Sequence, residues 1–313
     1  MRAVTIREKR ISVEEHPDPT PGSGEVMVRV RAAGINGADI MQRRGLYPAP
    51  PGEPQDIPGL ELAGEVVGRG PGASRFREGA RVMGIVGGGG QAELAVVHER
   101  ILMAVPDNLD WPAAGCVPEV FTTAHDAVFT QAGLQSGERL LVHGGAGGVG
   151  TAAIQLARIA GARVTATVRD AEVRDRVAAL GADVIESDAF AEHGPFDVIL
   201  ELVGAPNLPA NLEALATGGR IAVIGIGAGA TGQLNLRLLM GKRARIHGST
   251  LRARPLEDKA LTARAMERSV LPSLASGAAI VPIAQRYSLD EAEAAYDRFA
   301  AGRKFGKIVL EIG

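Results

Sequence analysis

Apolar and polar positions alternate with a period of two along Glu25–Arg31 (Glu-Val-Met-Val-Arg-Val-Arg), which predicts a half-buried strand. Shorter apolar runs at Leu62–Val67, Arg81–Val86 and Glu93–Val97 predict further strands. Turn chemistry separates them: Pro17-Asp18-Pro19-Thr20-Pro21-Gly22, Gly70-Pro71-Gly72 and Gly87–Gly90. Residues 1–118 therefore read as an all-β-like module. From Pro118 the period changes. Helical pattern over Phe121–Gln131 leads into a strand at Leu140–Val142, a helix at Thr151–Ala160 and a strand at Arg163–Val168. A helix over Ala171–Leu180 stops at Gly181, and strands follow at Val184-Ile185, Val198–Leu200 and Arg220–Ile224, with a helix over Leu208–Ala216. Repeated strand–helix units imply a parallel, doubly wound sheet, so the fold class is α/β. Asp258–Ala275 predicts a helix ended by Gly277, Leu289–Ala301 a helix capped by Asp290, and Lys307–Glu311 a closing strand. The expected division is a β-rich domain, residues 1–118 with 278–313, and an α/β domain, residues 119–277.

The strand at Leu140–Val142 runs into Gly145-Ala146-Gly147-Gly148-Val149-Gly150, a G-x-G-x-x-G turn that opens a helix and is followed by a second strand. A dinucleotide pyrophosphate needs such a turn: glycines let it approach the backbone, and the helix N-terminus meets its charge. A plain strand-to-helix turn can also be glycine-rich, so the surrounding strand–helix–strand unit carries the reading. The second strand ends Val168-Arg169-Asp170. No acid stands at the strand tip, where it would hold a ribose 2′-hydroxyl. Arg169 offers a guanidinium suited to a 2′-phosphate, with Arg174 as a second candidate, which favours NADPH. The other reading makes Arg169 a solvated loop charge and Arg174 an outer helix residue. Asp170 blurs the choice.

Composition narrows the classes. Of 313 residues 46% are hydrophobic, enough for two packed cores, and the net charge of −2 provides no field for nucleic acid or an anionic membrane. Aromatics at 4% are too few for a base-stacking surface. A single cysteine, Cys116, excludes an internal disulfide framework, suits a reducing compartment and reads as a small buried hydrophobe. No leader-like apolar stretch opens the chain and no apolar run is long enough to span a membrane. A cytoplasmic protein is expected. The six histidines are scattered without ligand spacing.

Several further motifs occur in order: Ala32-Ala33-Gly34-Ile35-Asn36-Gly37-Ala38-Asp39, Gln42-Arg43-Arg44-Gly45-Leu46-Tyr47-Pro48, Pro58-Gly59-Leu60-Glu61, Gly88-Gly89-Gly90-Gln91-Ala92-Glu93, Pro118-Glu119-Val120-Phe121-Thr122-Thr123-Ala124, Gly248-Ser249-Thr250-Leu251-Arg252-Ala253-Arg254 and Gly306-Lys307-Ile308-Val309-Leu310. With the glycine turn, this set resembles the medium-chain dehydrogenase/reductase superfamily in its zinc-free NADPH:quinone oxidoreductase branch. It is most similar to the tumour-suppressor-inducible subgroup, with zeta-crystallin as a cousin. The resemblance covers essentially the whole chain. It implies a GroES-like catalytic domain beside a Rossmann domain, with the site between them and hydride delivered from NADPH to quinones or other activated alkenes.

Residue by residue, the resemblance makes Asn36 and Tyr47 catalytic hydrogen-bond donors lining the nicotinamide and substrate. The competing readings are a turn-capping Asn36 and an exposed Tyr47. To Gly145, Gly150, Arg169 and Arg174, read above as cofactor-binding from the turn and the strand end, the resemblance adds Thr123, Gly147, Gly148, Val149, Gly225, Ile226, Gly227, Leu251 and Lys307, with Leu251 and Lys307 at the cleft rim; the competing readings are an apolar core contact for Leu251 and a solvated charge for Lys307. Glu61 reads as a structural carboxylate. Zinc relatives take ligands from a Cys and a His where this chain has Asn36 and Leu60, and a structural zinc lobe needs four cysteines, so no metal is expected. Relatives often carry a Lys on the 2′-phosphate where Val173 stands, and Asn-Tyr near Ser187-Asp188, and both departures weaken the NADPH preference. A neighbouring reading is an enoyl-thioester or 2-alkenal reductase, with Arg43, Arg44, Arg252 and Arg254 as a basic rim for an acyl carrier's phosphates. A reading of another class is an NADPH-binding protein of low turnover with a structural or RNA-binding role. The resemblance further implies a homodimer, with Ala244–Thr250 as the edge that pairs across it.

Overall fold

In the computed structural model, which describes residues 1–313, the chain opens with a two-stranded hairpin, β1 (Arg2–Arg7) and β2 (Arg10–Glu15). The long strand β3 (Glu25–Ile35) alternates buried and open residues in its first half and is buried throughout its last four. Helix α1 (Gly37–Arg43) follows directly, then β4 (Glu61–Arg69), β5 (Arg81–Ile85), β6 (Leu94–His98) and β7 (Leu102–Ala104). Helix α2 (Trp111–Ala114) is capped by Asp110, whose carboxylate accepts the Ala113 amide at 2.9 Å. Helix α3 (Pro118–His125) runs on as a wider π-type turn over Asp126–Gln131.

The second compact unit comprises Thr123–Thr250 with Ala278–Ile280. Its strands are β8 (Arg139–Val142), β9 (Arg163–Thr167), β10 (Asp183–Ile185), β11 (Phe196–Glu201), β12 (Leu215–Val223) and β13 (Arg245–Gly248). All pair in parallel, in the order β10-β9-β8-β11-β12-β13. Counted from β8 this is 3-2-1-4-5-6, the dinucleotide-binding order, with its switch point between β8 and β11. Helix α4 (Gly148–Ile159) is buried over eight consecutive residues, Gly150–Ala157, as a helix against a parallel sheet must be. Helices α5 (Arg174–Ala178), α6 (Leu208–Ala214) and α7 (Leu236–Lys242) complete the unit. The expected edge strand is present: β13 is the last of the sheet.

The chain then returns to the first unit, which comprises Met1–Thr122, Leu251–Gly277 and Val281–Gly313. Helices α8 (Leu256–Ser269) and α9 (Leu271–Ala275) stand where one helix was predicted. Pro272 explains the break, because it has no N–H for the preceding turn. Strand β14 (Ile283–Ser288), helix α10 (Ala292–Ala300) and strand β15 (Lys307–Glu311) close the sheet β14-β15-β3-β4-β5-β7, with β6 on β3. The cap before α10 is Ser288 rather than Asp290: the Glu291 carboxylate accepts both the Ser288 amide and hydroxyl at 2.8 Å. Assigning 251–277 to the dinucleotide-binding unit requires correction, since this segment packs in the first. Arg252 bonds the Gly87 and Tyr47 carbonyls, Arg264 bonds the Arg100 and Leu102 carbonyls, and Asn108 bonds the Leu274 carbonyl. No sequence pattern announces these bonds, because each partner lies far away along the chain. The core of this unit is aliphatic, with Val28, Val30, Ile35, Leu62, Val66, Val82, Ile308 and Leu310 fully shielded and Tyr296 the largest side chain among them.

Candidate active site

At the C-terminal end of β3 the chain places Asn36, buried, beside Glu61 at the start of β4 and Lys307 at the start of β15. The Lys307 ammonium donates to Glu61 Oε1 at 2.7 Å, to Asn36 Oδ1 at 2.5 Å and to the Ile35 carbonyl at 2.9 Å. Asn36 Nδ2 donates to Glu61 Oε1 at 2.9 Å and to the Gly34 carbonyl at 3.3 Å, and the Glu119 amide donates to Glu61 Oε2 at 2.8 Å. Lys307 is 2% exposed and Glu61 0%. Burial, the largest single influence, pulls the ammonium down, but Glu61, Cys116 and Asp39 together outweigh it and hold Lys307 above its ordinary range. Beneath this trio Asp39 accepts the Asn36 amide at 2.8 Å and the Gly59 amide at 3.1 Å, while burial pushes its carboxyl up to about 6.

Two expectations change here. Lys307 is not a rim charge but the buried centre of an ion pair, because three acceptors from distant parts of the chain converge on it. Asn36 offers no free donor, since Nδ2 is committed to Glu61 and the Gly34 carbonyl. Tyr47 differs. It is half-buried on the loop after α1, and its phenol has no hydrogen-bond partner. Burial lifts that phenol above its ordinary range, with the Arg252 cation opposing. Arg252 fixes the loop: its guanidinium lies 5.2 Å from the Tyr47 ring centre and donates to the Tyr47 carbonyl at 2.9 Å, the Gly87 carbonyl at 2.7 Å and Gln42 Oε1 at 2.6 Å. Being 2% exposed, Arg252 cannot serve as a basic rim, and Arg43 is paired with Asp297 at 2.9 Å. Leu251 is buried and lines a cavity of about 20 Å³ with Met103 and Thr122, room for roughly one water.

In the second unit the glycine turn joins β8 to α4, with Gly147 as the N-cap residue. A Cβ on Gly145 would stand 2.8 Å from Ala166 Cβ, and one on Gly150 would stand 2.5 Å from the Gly144 carbonyl oxygen. Those two glycines are required by the chain's own packing. Gly147 is not: its Cβ would meet nothing closer than the Gly144 carbonyl at 3.5 Å. The space in front of it is open, and the first-turn amides of Gly148, Val149 and Gly150 have no helical acceptor. An open glycine turn at the positive end of a helix is physically suited to an anionic group such as a pyrophosphate.

Arg169 follows the C-terminal end of β9, exposed and in no ion pair. Arg174 is committed to Glu186 at 3.0 Å and to the Val168 carbonyl at 3.2 Å. Gly225, Ile226 and Gly227 follow β12. A Cβ on Gly225 would collide with the Leu202 carbonyl at 2.1 Å, whereas Gly227 faces open space and Ile226 is 49% exposed. The turn, Arg169, Arg174 and 225–227 thus share the C-terminal edge of one parallel sheet. Thr123 is buried in α3, and Leu251 and Lys307 belong to the first unit.

The sequence reading missed a buried polar group at the switch point. His143, directly after β8, and Glu201, at the end of β11, are 1% and 3% exposed, with Asn211 between them at 0%. The signal was present in Phe196–Glu201, where an apolar strand ends in an acid.

Residues 148–267 match the zinc-binding dehydrogenase family, and residues 22–107 match the alcohol dehydrogenase GroES-like domain. The quinone oxidoreductase of Rattus norvegicus is 31% identical over 306 residues, 93% of this chain and 90% of that protein. The polyketide synthase GfsB of Streptomyces halstedii is 35% identical over 92% of this chain, which spans only 5% of that synthase. The solved structure of a mycobacterial protein complexed with NADPH superposes with a TM-score of 0.89 at 26% identity, over 99% of this chain and 100% of that one. The residues here do not suit the zinc of the first family name. No group of three His, Cys, Asp or Glu side chains is placed to hold a metal, the Asn36 amide is committed, Leu60 is apolar and buried, and burial pushes the Cys116 thiol far above its ordinary range. No helix is long and apolar enough to cross a membrane.

Proposed function

The chain belongs to the medium-chain dehydrogenase/reductase superfamily, quinone oxidoreductase branch, and we propose that it is a zinc-independent NADPH:quinone oxidoreductase that delivers hydride to quinones or other activated alkenes. The observation that carries the reading is the glycine turn, whose outer glycine, Gly147, is left unfilled by the protein itself. When bound, the reduced nicotinamide supplies the hydride. The turn and the start of α4 would hold the pyrophosphate, and Gly225–Gly227 would offer backbone to the nicotinamide carboxamide. Arg169, free of an ion pair, takes the 2′-phosphate. The Tyr47 phenol, protonated at neutral pH and shifted further that way by burial, would donate to the substrate oxygen that gains charge. Asn36 supports the Lys307–Glu61 centre. The final proton comes from water.

A second reading, reduction of an enoyl thioester, is favoured by the 35% identity to a segment of a polyketide synthase. We further propose a cytoplasmic homodimer, supported by the buried, unpaired Cys116, the edge strand β13 and the exposed Leu236 and Met240 of α7. One experiment separates the activities: oxidation of NADPH and NADH with 1,4-benzoquinone, 9,10-phenanthrenequinone and crotonyl-CoA, for the wild type, Arg169→Ala and Tyr47→Phe. Quinone turnover that prefers NADPH, loses the preference in Arg169→Ala and falls about tenfold in kcat in Tyr47→Phe is expected. Turnover with crotonyl-CoA alone transfers the protein to the second reading. NADPH binding without turnover of any acceptor refutes both and leaves a structural or RNA-binding role.

A further inference from the structure

The buried group at the switch point can be resolved atom by atom. Glu201 accepts the Val203 amide at 2.7 Å and the Gly204 amide at 2.8 Å on one oxygen, and Asn207 Nδ2 at 3.1 Å and Asn211 Nδ2 at 2.7 Å on the other. A carboxylate only accepts, so the amide nitrogen of Asn211 must face it and the amide oxygen must face His143 Nε2 at 2.7 Å. That assignment puts the imidazole proton on Nε2 and leaves Nδ1 as an acceptor. The Thr167 hydroxyl, 3.2 Å away, donates to Nδ1 and accepts the Gly144 amide at 3.3 Å. One polarity runs from the Gly144 amide through Thr167, His143 and Asn211 to Glu201, the terminal acceptor, which also takes the Val203 and Gly204 amides of the next loop. That loop in turn sets the next one: the Val203 carbonyl accepts the Ala228 amide at 2.9 Å, and the Leu202 carbonyl abuts Gly225.

We propose that Thr167, His143, Asn211 and Glu201 form a positioning relay that couples the glycine turn to loop 225–228, so that the two ends of a bound dinucleotide are gripped by loops held in one register. The inference rests on the dinucleotide-binding reading and adds residues that touch neither phosphate nor nicotinamide. Its physical basis is burial. Every member is shielded from water, so a broken link leaves unpaired polar atoms that only rearrangement of the loops can satisfy. Burial opposes protonation of His143, with Glu201 acting in the other direction, and Glu201 is the charged group that faces the ring. The edge of the Phe190 ring covers it at 4.5 Å between centroids.

The test cuts the relay at its glycine-turn end with the near-isosteric Thr167→Val and reads the far end. In the cofactor-free protein, amide hydrogen exchange at Val203 and Gly204 is expected to accelerate. NADPH affinity, titrated by nicotinamide fluorescence, is expected to weaken about tenfold, and Thr167→Ser to restore both. In a cycle with Asn211→Leu, the double variant is expected to lose no more than the worse single variant, because both cut one relay. Exchange changes confined to Gly144, unaltered NADPH affinity, or losses that multiply would each overturn the coupling. Should Thr167→Val fail to fold, His143→Gln cuts the same relay and is read in the same way. A wild type that binds neither NADPH nor NADH refutes the cofactor reading and the relay with it. A wild type that binds, with unmoved variants, refutes the relay alone.

Discussion

Replacing Lys307 by Met tests how the first unit is held together at its candidate catalytic centre. Met matches the aliphatic stem but removes the ammonium and its bonds to Ile35, Asn36 and Glu61. Glu61, fully shielded, keeps only the Asn36 and Glu119 donors and becomes a buried carboxylate without a countercharge. Losing one partner of a buried pair costs about 3–5 kcal/mol, well above the ~1 kcal/mol of an exposed one. Glu61→Gln alone strands the ammonium at a similar cost. The double variant Lys307→Met/Glu61→Gln strands neither and is expected to recover about 2 kcal/mol or more of the summed losses. Urea unfolding followed by fluorescence of Trp111, the single tryptophan and a residue of the same unit, measures each. A cost below about 1 kcal/mol for Lys307→Met, or simple additivity in the double variant, would refute the reasoning and make this a weakly coupled pair.

Two further outcomes follow from the second unit. Gly147→Ala, at a φ of −75° that any residue adopts, is expected to leave thermal unfolding unchanged while weakening NADPH binding about tenfold or more. Gly145→Ala, which puts a methyl 2.8 Å from Ala166 Cβ, is expected to cost about 1–3 kcal/mol of stability; equal stability for the two variants would show that the turn's packing has been misread. His143 gives a pH dependence whose sign is fixed. Its folded pKa lies below the ordinary value, so the unfolded chain binds the extra proton as the pH falls below about 6.5, and stability is lost on acidification by up to ~1.4 kcal/mol per pH unit. The wild type is expected to lose more stability than His143→Gln between pH 7 and pH 5, and parallel curves would show that His143 titrates normally.

Much of the fold was legible because it is local. Alternation over Glu25–Arg31, apolar runs ending in glycine, and a G-x-G-x-x-G turn between strand and helix each act within about one supersecondary unit, where backbone geometry leaves few solutions. The errors in helix bounds and caps were local as well. Pro272 splits a helix that apolar periodicity alone makes continuous, and Ser288 takes the cap from Asp290 because Glu291 stands three residues on.

What the sequence by itself determined is therefore the succession of elements, the parallel sheet and the glycine turn between strand and helix. Tertiary structure alone decided which polar side chains are free. Lys307 meets Asn36 across 271 residues and Glu61 across 246, and that meeting makes a surface-type residue into a buried cation, while Glu61 and the Gly34 carbonyl take up Asn36's donor. Arg252 likewise became the brace behind Tyr47, and His143 and Glu201 joined one buried chain of hydrogen bonds through Asn211, because strand order brought β8 beside β11. Periodicity encodes which face of an element is buried. Which buried polar atom finds a partner depends on chain segments that meet only when the sheets have formed.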